Sequence, residues 1–181
     1  MSRDGFPGDA TAWALALFLA VVIAQRVAEL ALSARNARLL LARGAREHAA
    51  GHYPLLVIVH VLFPIALVLE VWCLGARPGP LWPMWLALWI GAQALRYSAV
   101  RALGDRWSTR ILVLPGPLVR RGPYRLLRHP NYVAVVTELA AAPLVFGAWR
   151  TAVIISALNA IALFIRIRAE ETALALVDAG E

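Results

Sequence analysis

Long apolar segments separated by arginine-rich stretches limit what this chain can fold into. A helix crosses about 30 Å of hydrocarbon with about 20 apolar residues, at about 1.5 Å of rise each. Segments at about 11–33, 53–74, 81–101, 130–148 and 149–168 reach or nearly reach that length. The chain is also 61% hydrophobic, with a mean hydropathy of +0.67. The sequence therefore predicts an all-α integral membrane protein, a single domain over 1–181 with about five transmembrane helices.

The charge balance is strongly basic, at +7, and every one of the 18 basic residues is an arginine. Such a charge can indicate nucleic-acid binding, but these arginines lie between apolar spans, where membrane topology places them. We therefore expect no nucleic-acid partner. The single Cys73 excludes an internal disulfide and a cysteine-cluster metal site, and we expect no metal ion. The first apolar run is too long for a cleavable signal peptide.

Arginine placement also predicts the orientation of the chain. The first and third loops are arginine-rich, whereas the second and fourth carry only Arg77 and Arg150. We therefore expect the N-terminus outside, and the first loop, the third loop and the C-terminus in the cytoplasm, of a bacterial inner membrane. Tryptophans at the opposite ends of the spans fit an interfacial belt: Trp13, Trp72, Trp82, Trp85 and Trp149.

The third loop is long, at about 28 residues, and loops of that length in compact chains are usually functional. Its apolar 111–119 segment, interrupted by Pro115-Gly116-Pro117, predicts a short hairpin or an extended segment on the membrane surface. The last two spans are separated only by Gly147 to Arg150, so they are expected to form a tight antiparallel hairpin.

The stretch Arg128-His129-Pro130-Asn131-Tyr132 stands just before the fourth span. Pro130 suits the first turn of a helix, whose free N–H groups and dipole favour an anion nearby. Arg128 and His129 can add donors to such an anion, and Tyr132 can stack on a planar group. The alternative interpretation is interfacial anchoring by snorkelling arginine and belt tyrosine.

The fifth span ends in Arg166-Ile-Arg168-Ala-Glu170-Glu171. Arg166 and Glu170 share a helix face, and Arg168 can pair with Glu171. This pattern is also typical of a solvated helix end. However, acidic residues near a helix C-terminus oppose the dipole, so they add no helix stability. The segment is predicted to lie on the same membrane side as His129, so both can line one pocket.

Several polar residues lie inside the predicted spans, where a charge costs about 2.5–3.5 kcal/mol on insertion scales. Glu138 must face the bundle, with Asn159 a candidate partner, either as helix glue or as a cavity wall. Arg26 and Glu29 have the spacing of an internal ion pair. His60 and Glu70 have no partner that the sequence identifies.

The order GPYRLLRHPNY, two-helix hairpin, RIRAEETAL resembles the isoprenylcysteine carboxyl methyltransferase family, integral membrane enzymes that use S-adenosylmethionine. The match extends from about Gln25 to Leu174 and looks closest to bacterial members that methylate lipophilic small molecules. The chain departs from the family in having Ala134 where Gly is frequent, near the expected cofactor. It also has a short segment after the acidic pair, where many members have an aromatic-rich tail.

The resemblance implies a cytoplasmic cofactor pocket formed by the last two helices and the third loop. It implies that Arg128, His129, Tyr132 and Glu170 bind S-adenosylmethionine, and that Arg166 and Glu171 are catalytic. Arg166 would orient an anionic acceptor oxygen. A carboxylate acceptor needs no base, whereas a phenol or enol would use Glu171 or His129. Membrane lipids and a lipophilic or prenylated substrate are the expected partners.

Three other functions compete with this interpretation. A phospholipid or amine N-methyltransferase would favour carboxylates or aromatics near the acceptor over Arg166. A non-enzymatic membrane protein predicts that the Arg128–Tyr132 and Arg166–Glu171 groups face lipid headgroups and do not converge. A sterol reductase-like enzyme shares a similar motif but needs more spans than five.

Overall fold

Five α-helices make up most of the computed structural model, which describes residues 8–48, 51, 53–114 and 119–178. The prediction of an all-α chain with five helices is confirmed. The helices are α1 (Asp9–Ala42), α2 (Tyr53–Cys73), α3 (Trp82–Leu103), α4 (Pro130–Val145) and α5 (Trp149–Asp178). Strands β1 (Arg46–Glu47) and β2 (Leu112–Val113) and 3-10 helices at Gly104–Arg106 and Gly122–Arg125 complete the described structure.

Three helices in the described part are long and apolar enough to cross a membrane: α1, α2 and α5. The other two are helical where spans were predicted but do not reach that standard. Helix α4 has only 16 residues, about 24 Å. Helix α3 is less apolar because its second half carries Gln93, Arg96 and Arg101. The bundle is therefore that of a membrane protein, and its buried polar side chains are distributed over all five helices.

Helices α1 and α5 extend well beyond their predicted ends. Helix α1 was expected to stop near residue 33 but continues to Ala42, so Arg35 and Arg38 lie on a helix and not in a loop. The Asn36 amide donates to the carbonyl oxygens of Gly104 (3.1 Å) and Trp107 (2.9 Å). These bonds hold the end of α1 against the segment that follows α3, which sequence periodicity does not reveal.

The buried core lies where α2, α4 and α5 meet, around Leu67, Leu139 and Ile155. Glu70, without an identified partner in the sequence, is buried at the end of α2. Its carboxylate accepts hydrogen bonds from the backbone N–H groups of Arg150 (3.0 Å) and Thr151 (2.6 Å). Those are free N–H groups in the first turn of α5, so Glu70 caps the neighbouring helix.

The third loop covers the arginine-rich end of the bundle. Strand β2 pairs antiparallel with β1 of the first loop, with Arg46 opposite Val113. The segment at 111–119 is thus partly extended, as one alternative predicted, but its partner is the first loop. Ile111 and Val113 pack on Ala173 of α5. The predicted turn at Pro115-Gly116-Pro117 lies outside the described residues.

Candidate active site

A cavity of about 1150 Å³ lies at the arginine-rich end of the bundle and extends between the helices. The third loop, α4 and α5 line it, and residues of α1, α2 and α3 line it too. All six residues predicted as site residues reach this one cavity. They are Arg128, His129, Tyr132, Arg166, Glu170 and Glu171. Two segments far apart in sequence therefore converge, while the chemical role of each residue stays a prediction.

The start of α4 forms one wall of the cavity. Pro130 is the first residue of the helix, and the His129 carbonyl accepts the first helical bonds, from Tyr132 N–H (3.0 Å) and Val133 N–H (3.2 Å). The rings of His129 and Tyr132 stack with centroids 5.3 Å apart and planes at 19°. Because no side chain caps this helix start, its positive end is left to a ligand or solvent.

Tyr132 joins α4 to α5. Its hydroxyl donates to the Glu170 carboxylate and accepts a hydrogen bond from Arg166 Nε over 3.1 Å. The sequence places Arg166 and Glu170 on one helix face, and the structure shows the phenol bridging them. Arg166 is 6% exposed, so its guanidinium is held in a largely desolvated position.

Glu171 faces the start of α4 and not Arg168. Its Oε1 lies 3.8 Å from His129 Nε2 and 4.0 Å from Arg128 Nη1. Arg168 instead lies over the Phe164 ring, 5.3 Å from its centroid. The pairing of Arg168 with Glu171 that helical spacing allows is therefore absent, and Glu171 is loosely held beside two cationic or donor groups.

Tyr124, in the 3-10 helix Gly122–Arg125, is a lining residue that sequence reasoning missed. Burial, followed by the negative charge of Glu170, raises the pKa of Tyr124 to about 12. The phenol is thus protonated at neutral pH and can donate a hydrogen bond, but it is not a base. Its only sequence signal is its place in GPYR, just before the predicted site.

The opposite end of the cavity carries a closed ring of four ion pairs. Arg26 pairs with Glu29 (2.6 Å) and Glu138, and Arg96 pairs with Glu29 (3.4 Å) and Glu138. We call these four residues the ion-pair ring. The predicted Arg26–Glu29 pair is confirmed. The suggestion that Asn159 partners Glu138 is wrong, because α1 and α3 supply two arginines that outcompete a neutral amide.

An apolar wall separates the two polar ends. Residues of α1 and α2 line the cavity with side chains that are largely exposed to solvent, so the cavity is open on the side that these two helices form. These residues are Ile23, Val27, Leu30, Val57, Val61 and Ile65. Ala134, which stands where the family frequently has Gly, is fully buried and is not among the lining residues. Its methyl group therefore does not narrow the cavity.

Known proteins match the part of this chain that contains α3, α4 and α5 in the same order. The model of the isoprenylcysteine carboxyl methyltransferase family matches residues 85–176, from α3 through most of α5. The chain is 40% identical over 159 residues to the uncharacterized protein YpbQ of Bacillus subtilis strain 168, covering 87% of this chain and 95% of that protein. It is 29% identical over 157 residues to an uncharacterized protein of Haemophilus influenzae Rd, covering 86% and 91%. No solved structure shows significant similarity. With a family match over half its length and a close relative along nearly its whole length, the chain belongs to the isoprenylcysteine carboxyl methyltransferase family of membrane methyltransferases.

Proposed function

We propose that this protein transfers a methyl group from S-adenosylmethionine to a carboxylate or hydroxyl oxygen of a lipophilic substrate. The observation that carries this proposal is the convergence of the α4 start and the Arg166–Glu171 stretch of α5 on one cavity. That convergence argues against a non-enzymatic role, in which the two groups would face lipid headgroups separately. The opening on the side that α1 and α2 form suits an acceptor with an apolar tail.

The groups at the polar end fit S-adenosylmethionine. Its carboxylate matches Arg128, His129 and the uncapped start of α4, and its ammonium matches Glu170 or Glu171. The stacked His129 and Tyr132 rings match its planar adenine. The buried Asn131 Oδ1 has no hydrogen-bond partner among the described residues, and Asn131 lines the cavity, so an acceptor is available for an amino or hydroxyl group. The cavity exceeds the roughly 300–1,000 Å³ of a typical single-ligand pocket, which leaves room for an acceptor beside the donor.

Bound there, S-adenosylmethionine supplies an electrophilic methyl group on its sulfonium. The protein's part is to align a nucleophilic oxygen within about 3–3.5 Å of that methyl and to exclude water. Arg166 lines the cavity beside Tyr132, where its guanidinium is placed to bind an anionic oxygen. An amine acceptor would gain nothing from this guanidinium, so Arg166 favours oxygen over nitrogen as the methylated atom.

The role of Glu171 depends on the acceptor. A carboxylate is ionised at neutral pH and needs no base, whereas a phenol must lose a proton. The loosely paired carboxylate of Glu171 can accept that proton and lies beside His129. A general base contributes roughly 10²–10⁴-fold to such a step. Glu171 is therefore proposed as the base for a hydroxyl acceptor.

Binding of S-adenosylmethionine to the detergent-purified protein, measured by calorimetry, tests the cofactor assignment. We expect micromolar affinity, about −8 kcal/mol, that His129→Ala weakens at least about tenfold because a donor to the carboxylate is lost. His48→Ala is the matched control, because His48 does not line the cavity. If folded wild-type protein binds no S-adenosylmethionine, or if both variants bind as wild type does, the proposal fails.

Transfer of a tritiated methyl group tests the role of Glu171. With an alkylresorcinol as the phenol probe, we expect Glu171→Ala to lower kcat by about 100-fold or more. With N-acetyl-S-farnesylcysteine as the carboxylate probe, the loss should be much smaller because no base is required. Asp105→Asn, an exposed carboxylate outside the cavity lining, controls for a change of surface charge. Equal losses with both probes would show that Glu171 is not the base.

A further inference from the structure

The end of the cavity remote from the proposed methyl-transfer site carries polar groups that this reaction does not use. We define the cavity floor as His60 of α2 together with the ion-pair ring, all of which line the cavity. Glu138 lies six residues beyond Tyr132, about 9 Å further along α4. A substrate whose methylated oxygen lies at Arg166 therefore directs its far end toward this floor.

His60 offers the floor an unpaired hydrogen-bond acceptor. Its Nδ1 lies 2.8 Å from the Leu56 carbonyl oxygen. Because a carbonyl only accepts, Nδ1 carries the proton, and the neutral ring then has its lone pair on Nε2. Among the described residues, no side chain or backbone group pairs with Nε2. His60 is close enough to Arg26, Arg96 and Glu138 for their charges to act on it.

Arg96 offers the floor an unpaired donor. Its side chain is 3% exposed, and its two Nη atoms pair with Glu29 and Glu138 of the ring. Its Nε is buried and has no hydrogen-bond partner in the described part of the chain. A buried guanidinium N–H in that state is destabilising, which is an independent indication that a ligand group or an ordered water completes the site.

The charge of the floor limits which ligand group fits. Two arginines and two glutamates balance within the ion-pair ring, so a carboxylate or ammonium would add an uncompensated buried charge. A carbonyl would satisfy only the Arg96 donor, and a hydrocarbon would satisfy neither group. A hydroxyl has one donor and two acceptor positions, so it is the smallest neutral ligand group that can pair with Nε2 of His60 and Nε of Arg96 together.

We propose that the cavity floor binds a neutral hydroxyl at the far end of the methyl acceptor, which makes the substrate a hydroxylated lipophilic molecule and not a simple hydrocarbon-tailed one. The hydroxyl donates to His60 Nε2 and accepts from Arg96 Nε. The inference rests on the proposed function, because the far end is defined relative to the methylated oxygen. A site with paired polar groups rejects an analogue that lacks the hydroxyl, since both groups are then left unpaired.

Equilibrium binding to the full chain in lipid nanodiscs, without methyl donor, tests this floor. The probes are radiolabelled eight-, ten- and twelve-carbon fatty acids and their ω-hydroxy counterparts, with binding to empty nanodiscs subtracted. At one chain length we expect the hydroxy acid to bind about tenfold tighter than its parent. His60→Phe should abolish that preference, and His60→Gln, whose amide oxygen accepts, should retain part of it. Ile58→Ala, on the same helix but outside the cavity lining, should leave it unchanged.

His60→Ala is measured beside His60→Phe, so that the preference is read in whichever variant elutes and unfolds as the wild type does. Equal affinity for hydroxy and parent acids at every length, a preference that survives loss of His60, or no binding of either series overturns the proposal. Binding of S-adenosylmethionine to the same nanodiscs is measured separately. If S-adenosylmethionine binds while no hydroxyl preference appears, only the hydroxyl site at the cavity floor is refuted. If the hydroxyl preference appears while S-adenosylmethionine does not bind, only the proposed function is refuted.

Discussion

At the scale of single residues, Tyr132 is the point on which the candidate site depends. Its phenol lies between the Arg166 guanidinium, which can only donate hydrogen bonds, and the Glu170 carboxylate, which can only accept them. It accepts from Arg166 Nε and donates to the Glu170 carboxylate. Both bonds involve a charged partner, so each is stronger than a neutral pair. Removing one oxygen atom therefore breaks the hydrogen bonds that Tyr132 makes to Arg166 and Glu170 while leaving the aromatic ring in place.

Tyr132→Phe is expected to lower kcat for methyl transfer by roughly 10–100-fold, because a hydrogen bond to a charged group contributes about 1.5–3 kcal/mol. The stacking with His129 is retained, so affinity for S-adenosylmethionine should fall much less. Steady-state kinetics with the carboxylate probe, beside calorimetry of donor binding, separate the two effects. Tyr97→Phe is the matched control, since Tyr97 is an exposed residue of α3 outside the cavity lining. An unchanged kcat would show that the Tyr132 hydroxyl has no role in methyl transfer.

Residue by residue, the sequence predicts local pairings and misses those made across the bundle. Arg26 and Glu29 pair as their helical spacing indicates. Arg166 and Glu170 share a face, but a tyrosine from another helix comes between them. The partners of Glu138 are wrong in the sequence prediction because they come from α1 and α3, and no periodicity reports which helices pack together. The sequence predicts correctly that His129 and Glu171 lie together, because the short turn between α4 and α5 brings these parts of the two helices side by side.

At the scale of elements, the α4–α5 hairpin positions the candidate site by bringing the start of α4 beside the later half of α5. The turn between α4 and α5 packs against the connection between α2 and α3. Gly147 has φ +72°, and a Cβ there would lie 1.8 Å from the Arg77 carbonyl oxygen. Glu70 caps the start of α5 from the end of α2. The hairpin is visible in the sequence, whereas this capping depends on tertiary contacts that the sequence pattern does not encode.

Gly147→Ala is expected to destabilise the protein. A left-handed conformation costs a non-glycine residue about 1–2 kcal/mol, and the backbone of Arg77 must also move. Denaturant unfolding in detergent micelles should therefore show a loss of at least about 1–2 kcal/mol. Gly91→Ala in α3 is the control, because a Cβ there meets nothing within 4 Å and alanine favours a helix. Equal unfolding free energies for the two variants would contradict the close approach.

At the scale of the whole molecule, polar contacts attach α1 to the rest of the bundle at two levels. Asn36 binds the segment after α3 at the arginine-rich end, and the ion-pair ring joins Arg26 and Glu29 to α3 and α4 deeper in the bundle. The apolar faces between these levels line the opening on the side that α1 and α2 form. Helix α1 thus forms one edge of the opening and is held beside it by polar contacts at both levels.

Glu138→Gln tests whether the ion-pair ring holds the molecule together. The substitution leaves Arg26 and Arg96 to share Glu29, so one positive charge is uncompensated in a desolvated site. Breaking a buried pair in this way costs about 3–5 kcal/mol, and the 21% exposure of the Arg26 side chain places the expected loss in unfolding free energy at the lower end.

Arg96→Gln combined with Glu138→Gln should recover part of the loss, because Arg26 and Glu29 then remain as a balanced pair. Glu47→Gln, which breaks the more exposed pair with Arg110, should cost at most about 1 kcal/mol. If Glu138→Gln costs no more than Glu47→Gln, or if the double variant loses the sum of the two single losses, the ring is not the coupled unit that holds α1.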